Sequence, residues 1–228
     1  MLNTAMPAAN PAADERYIRL MRPGSDIPIL GICAYASGTG KTTLLEAVLP
    51  ILGAYGLKVS VIKQARADFD IDRPGKDSHR LRGAGAAQVL VSSPRRWALM
   101  AEVTDGDAMD GDGLPLEQLV RHLDTRLTDL ILVEGFKTAP IPKIEVFRQA
   151  CANPLLAAHD PDIIAVAADV ALPLPVALLN LNRAQEIAAF VLDWLTRQRQ
   201  QHLATSMEQW LRESPGATRI RESEPMAG

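Results

Sequence analysis

Apolar and polar positions change period repeatedly between residues 27 and 199. Ile29–Tyr35 is a short apolar run. A stretch of small residues follows, then Leu44-Leu45-Glu46-Ala47-Val48-Leu49, inside a helix expected near 41–54. Gly56 marks a turn, and Leu57–Lys63 is a second strand. A polar loop runs to Gly75, after which Asp77 or Ser78 caps a helix reaching Gly85. Gln88–Ser92 and Trp97–Val103 are expected strands. Leu114–Leu127 carries Leu116, Leu119, Val120 and Leu123 on one helical face. Leu130–Val133 is an apolar strand. Ile141, Ile144 and Val146, set among Lys143 and Glu145, nearly alternate and predict an exposed edge strand. Ile163–Ala168 and Val176–Leu179 are short buried runs. A last helix at 183–198 places Ala184, Ile187, Ala188, Val191 and Leu195 at helical spacing.

Strands alternating with helices predict an α/β fold. The expected architecture is a mostly parallel β-sheet flanked by helices, with an antiparallel edge segment. Residues 1–26, rich in Ala, Pro and Asn, are expected to form a mobile leader, and 27–199 the domain. Residues 200–228 turn polar and are expected to be a tail, with Leu203, Met207, Trp210 and Leu211 forming at most one short amphipathic turn.

Composition narrows the function. The chain has 228 residues, 47% apolar and 22% charged, ordinary for a globular protein with a full core. A net charge of -3 supplies no basic field for nucleic acid. Two cysteines, Cys33 and Cys151, make neither a disulfide framework nor a metal knuckle. No apolar stretch has the roughly 18 residues of a membrane span, and no secretory signal opens the chain. The expected compartment is the cytoplasm.

The chemistry concentrates in Ser37-Gly38-Thr39-Gly40-Lys41-Thr42-Thr43, between strand and helix. Such a loop turns backbone N–H groups inward, and the helix start adds partial positive charge. Lys41 reaches terminal phosphates and Thr42 binds Mg²⁺, as in the G-x-x-x-x-G-K-[ST] loop. Tyr35 takes the place of that pattern's first glycine. The expected fold is therefore P-loop NTPase-like, holding a nucleoside triphosphate.

Ligands of parallel sheets bind at the carboxyl ends of the strands. Asp129 opens its strand, at the wrong edge, whereas Glu134 closes it at the right one. Glu134 is therefore the expected Mg²⁺-side carboxylate, direct or through water. The charged segment 63–82 hangs over the same edge, with Asp77 its favoured member for orienting water or sensing the terminal phosphate. Asp105, Asp107, Asp110 and Asp112 fail calcium-loop spacing. His79, His122, His159 and His202 form no pair at metal spacing. For the base, Asp169 follows a strand and is the candidate acceptor for a guanine edge, while Asn182 with Gln185 resembles a helix capping pair.

Three segments together resemble one family. They are Tyr35–Leu44, Asp70-Ile71-Asp72-Arg73-Pro74-Gly75-Lys76-Asp77-Ser78, and Leu132-Val133-Glu134-Gly135-Phe136-Lys137 with Pro142-Lys143-Ile144. The likeness, over roughly residues 28–197, is to the molybdopterin-guanine dinucleotide biosynthesis adapter proteins (MobB). The resemblance implies a GTP-binding protein with weak GTPase activity, often dimeric. It implies an assistant to a separate guanylyltransferase that joins GMP to molybdopterin. Family members often carry histidines after the second strand. Here those positions read Gln64, Arg66 and Ala67, so no histidine role passes to this chain. Two other functions fit the same loop. One is a small-molecule kinase, its acceptor pocket lined by Arg66, Arg73, Arg80 and Arg82. The other is a nucleotide-binding module without turnover.

Overall fold

The computed structural model describes residues 27–65, 69–103 and 113–213. The expected leader, Arg66, Ala67, the four aspartates Asp105, Asp107, Asp110 and Asp112, and positions beyond 213 lie outside the described residues.

The strands are β1 (Ile29–Cys33), β2 (Val59–Lys63), β3 (Gln88–Ser92), β4 (Trp97–Ala101), β5 (Leu130–Glu134), β6 (Lys143–Phe147), β7 (Ile163–Ala168) and β8 (Ala177–Asn180). The α-helices are α1 (Lys41–Ala54), α2 (Asp77–Gly83), α3 (Leu116–Arg121) and α4 (Ala184–Glu213). Six strands form one sheet in the order β2-β5-β1-β6-β7-β8, and every pairing in it is parallel. All its carboxyl ends therefore lie at one edge. β1 and β5 are buried along their whole length, which explains their unbroken apolar sequence.

Successive residues of a strand face opposite sides of the sheet. Leu30 and Ile32 join Leu44, Leu45, Val48 and Leu52 of α1 and Ile187, Val191, Trp194 and Leu195 of α4 in one core. Ile29, Ile131 and Val133 pack on the opposite face with Leu116 and Val120 of α3.

β6 is not an edge strand. It lies fourth in the sheet, between β1 and β7, and the edges are β2 and β8. Lys143 and Glu145 are each only 1% exposed. Lys143 Nζ donates to Ala139 O at 2.7 Å and pairs with Asp160 Oδ2 at 3.0 Å. Glu145 accepts from the backbone N–H groups of Leu156 and Ala157, both at 2.8 Å. The alternation in β6 thus reflects polar groups satisfied inside the protein. The stem of Lys143 crosses β1 at Gly31, where an added Cβ would sit 2.7 Å from Lys143 Cγ.

The antiparallel pairing belongs instead to β3 and β4, which form a separate two-stranded sheet. Leu90, Val91, Trp97 and Leu99 are exposed on it. The helix expected over 114–127 is divided into α3 and a 3₁₀ turn at Thr125–Leu127. The Asp124 side chain accepts from Arg126 N and caps that turn. The last helix is longer than its apolar spacing predicts. α4 continues to Glu213, with Leu203, Met207 and Trp210 exposed.

Candidate functional site

The site is assembled from the carboxyl ends of five neighbouring strands, β2, β5, β1, β6 and β7. β1 runs into the loop Ala34–Gly40, and α1 starts at Lys41. Gly38 and Gly40 adopt φ of 79° and 108°, values glycine reaches without strain. Gly40 occupies the N-cap of α1, no side chain caps that end, and no acidic residue stands in its first turn. The terminal N–H groups are thus suited to an anion. Thr39, 2% exposed, donates to Ala36 O at 2.9 Å and braces the loop from within. Lys41 Nζ folds back over the loop and donates to the same carbonyl at 3.1 Å. Ser37 and Gly38 face solvent, as do Thr42 and Thr43 at the helix start.

Thr42 and Glu134 are 92 residues apart in sequence, yet Thr42 Oγ1 donates to Glu134 Oε1 at 2.7 Å. The fold brings them together because β5 lies beside β1, in a register that pairs Ile32 with Glu134. Glu134 is 7% exposed. Lys63, which closes β2, is the register partner of Glu134 from the other side. Its Nζ donates to Thr42 Oγ1 at 3.0 Å and lies 3.2 Å from Glu134 Oε1. A hydroxyl and a carboxylate oxygen converging on a cation are the hard donors that suit Mg²⁺. The Lys63 ammonium demonstrates that this pair accepts positive charge.

The turn after Glu134 is fixed tightly. Gly135 has φ 96°, and an added Cβ would sit 2.8 Å from Gln64 Cβ. Gln64 Oε1 accepts from Phe136 N at 2.9 Å, and Phe136 itself adopts φ 46°. Gln64 thus ties the end of β2 to the end of β5 and holds the backbone that carries Glu134.

On the other flank, Arg148 follows β6. Its Nε donates to Thr39 O at 3.0 Å. Its Nη1 lies 4.0 Å from Asp169 Oδ2, just past β7. Asp169 Oδ1 accepts from Gln149 N at 2.9 Å. Asp169 also lines a cleft of about 290 Å³ with Leu178, Asn180 and Glu186. The Asn182 backbone N–H donates to Asn180 Oδ1 in a local turn before α4.

The segment after β2 divides its carboxylates. Asp77 opens α2 with a side chain 94% exposed, and its partner is Arg80 of the same helix at 3.5 Å. Asp72 is the buried member, with an 8% exposed side chain whose Oδ1 accepts from Ser78 Oγ and Arg73 N. Arg82 pairs with Asp70 at 3.0 Å and Glu102 at 2.7 Å. The Asp72 N–H, then Arg82, hold the Asp70 carboxyl below its usual range. Asp129 sits at the opposite edge, accepting from Lys58 N. Cys33 is buried, and burial, reinforced by Glu145, pushes its thiol up to about 12. It is an inert core residue.

Lys63 and Asp72 entered the sequence reading only as members of the charged segment 63–82, and Gln64 and Arg148 were given no site role there. Lys63 and Arg148 close strands at the carboxyl edge, which was their available signal. The strand order that places them beside the loop was not legible.

A parallel sheet with this loop and helix at its carboxyl edge defines a P-loop NTPase-like protein. Residues 29–169 match the model of the family described as molybdopterin guanine dinucleotide synthesis protein B, MobB. The chain is 47% identical over 173 residues to the molybdopterin-guanine dinucleotide biosynthesis adapter protein of Escherichia coli, covering 75% of this chain and 95% of that one. It is 43% identical to the adapter protein of Haemophilus influenzae, covering 75% and 91%. The crystal structure of a molybdopterin-guanine biosynthesis protein B superposes with a TM-score of 0.56 at 28% identity, covering 74% of this chain and 99% of that one. The chain belongs to the MobB family of molybdopterin-guanine dinucleotide biosynthesis adapter proteins.

Proposed function

We propose that the chain binds GTP with Mg²⁺ at the β1–α1 loop and acts as an adapter for a separate molybdenum cofactor guanylyltransferase that works on molybdopterin. The observation that carries this reading is the convergence of Thr42, Glu134 and Lys63 beside the loop that holds Lys41. Ser37 to Thr43 would cradle the phosphates, with Lys41 as a point charge on the terminal groups. Thr42 and Glu134 would hold Mg²⁺, which when bound neutralises phosphate charge. Asp169, at the mouth of the cleft past β7, is the proposed acceptor for the guanine edge. Asp77, open to solvent at the start of α2, is the proposed group that orients water in a slow hydrolysis.

Calorimetric titration with GTP and ATP tests the reading. Preference for GTP, lost together with binding in Lys41→Ala, supports it. Equal affinity for both bases, or binding that survives Lys41→Ala, overturns it.

The proposed adapter role calls for no membrane or nucleic-acid partner. No helix among the described residues is long and apolar enough to cross a membrane. The cytoplasm is the proposed location. A homodimer is proposed through β3–β4, because a two-stranded hairpin with an exposed apolar face is marginal in water by itself. A monomer by sedimentation at micromolar concentration would refute it.

A further inference from the structure

The flank of the phosphate loop opposite Lys63 holds a guanidinium that the reading above does not use. Arg148 Nε donates to Thr39 O at 3.0 Å. The guanidinium also lies flush against Gly40, where an added Cβ would meet Nε at 3.3 Å and Nη2 at 3.4 Å. Thr39 O and Gly40 N–H belong to one peptide unit. That unit is planar and trans, so its carbonyl and its N–H point in opposite directions. A donor fixed on the Thr39 carbonyl therefore turns the Gly40 N–H away from Arg148. Gly40, with φ 108°, has the freedom to present its peptide either way, so the orientation has to be imposed from outside.

Arg148 is itself held at its base. Its backbone is extended, with φ -127° and ψ 127°. The next residue, Gln149, donates its N–H to Asp169 Oδ1 at 2.9 Å, and Asp169 Oδ2 faces Arg148 Nη1 at 4.0 Å. One carboxylate thus fixes the backbone after Arg148 and faces its guanidinium, and the guanidinium fixes the loop. Its side chain, 36% exposed, lies at the surface rather than in the core.

We infer that Arg148 is a positioning residue that presets the Thr39–Gly40 peptide so that the Gly40 N–H faces the phosphate group. The inference rests on the nucleotide reading but concerns a different residue and a different step. It requires a directed hydrogen bond, not merely a positive charge. Lysine keeps the charge but lacks the planar fork that engages carbonyl and carboxylate together.

The test compares the unaltered full chain with Arg148→Lys and Arg148→Met, titrated with sodium tripolyphosphate, which has no base, and with GTP. Both variants are expected to lose about tenfold in affinity for both anions, the size of a hydrogen bond to a charged group. In the unaltered chain the Gly40 amide resonance should move downfield on adding tripolyphosphate, and both variants should lose most of that movement. Wild-type affinity and a retained Gly40 shift in Arg148→Met overturn the proposal. So does wild-type affinity in Arg148→Lys, which would leave a role for charge alone. Should the methionine variant not fold, the lysine variant decides by the same two readouts. An unaltered chain that binds neither anion would instead refute the nucleotide reading.

Discussion

Two lysine–carboxylate clusters stand in the same sheet, one on β2 and β5 and the other on β6 with β1 between them, and they differ in kind. Lys63 meets Glu134 and Thr42 at the carboxyl edge, with a side chain 51% exposed. Lys143 meets Asp160, Asp162 and Ala139 O with a side chain 1% exposed. The buried lysine has three oxygen partners around one ammonium, a closed set for three donors. The edge lysine holds Thr42 and Glu134 at the surface, where the proposed cation would have to share them. A closed polar set holds a fold together, whereas an open one is available for exchange. An ammonium beside carboxylates serves architecture in one strand and the proposed cation site in the other, and solvent access is what separates them.

The largest test of that contrast is Lys143→Met. Removing one partner leaves Asp160 and Asp162 facing an apolar site, and the loss should be about 3 kcal/mol of unfolding free energy in urea. Nucleotide affinity of the folded fraction should stay unchanged. Next is Glu145→Gln, which keeps one acceptor oxygen but sets an amide NH₂ against the other of the two backbone donors and should cost about 1–2 kcal/mol. Burial, the main cause, raises the Glu145 carboxyl above its ordinary 4.5. Its stabilising contribution is therefore complete below 4.5 and is lost as pH rises through the raised folded value. The unaltered chain should lose stability over that interval by thermal melting, and Glu145→Gln should be flat across it.

The edge cluster should respond in affinity instead. Glu134→Gln should weaken Mn²⁺ binding in the presence of GTP about tenfold, measured by electron paramagnetic resonance. Lys63→Met should strengthen Mn²⁺ binding without nucleotide by about threefold, because an exposed ion pair holds its partners weakly. A large stability loss in Lys63→Met would erase the distinction between the clusters.

What the sequence revealed follows from how local each signal is. β1, the loop and α1 were legible because strand, glycines, Lys41 and Thr42 are contiguous. Glu134 was legible because its strand is apolar up to that residue. β6 was misread because Lys143 and Glu145 imitate a solvent-facing alternation, and their partners stand 11–19 residues later, in Leu156, Ala157, Asp160 and Asp162. Arg148 stayed hidden because its use depends on β6 lying beside β1, which no local pattern encodes. The extension of α4 was missed because the residues after 198 are mostly polar, and Leu203, Met207, Trp210 and Leu211, though at helical spacing, predict only one short amphipathic turn. The helix there is solvent-exposed, and Leu203, Met207 and Trp210 gain no burial from it.

Gly31 makes the order of change along a lineage matter. While Lys143 is present, alanine at position 31 collides with its stem and should be selected against. Once position 143 becomes short and Asp160 and Asp162 are replaced, the same alanine meets only the end of the Ile141 side chain, at 3.2 Å, and turns neutral or favourable as soon as that end shifts. The mutation is identical and its sign depends on history. A descendant that lost the buried ammonium and then filled position 31 would find the way back closed, because restoring the lysine would first require restoring the glycine.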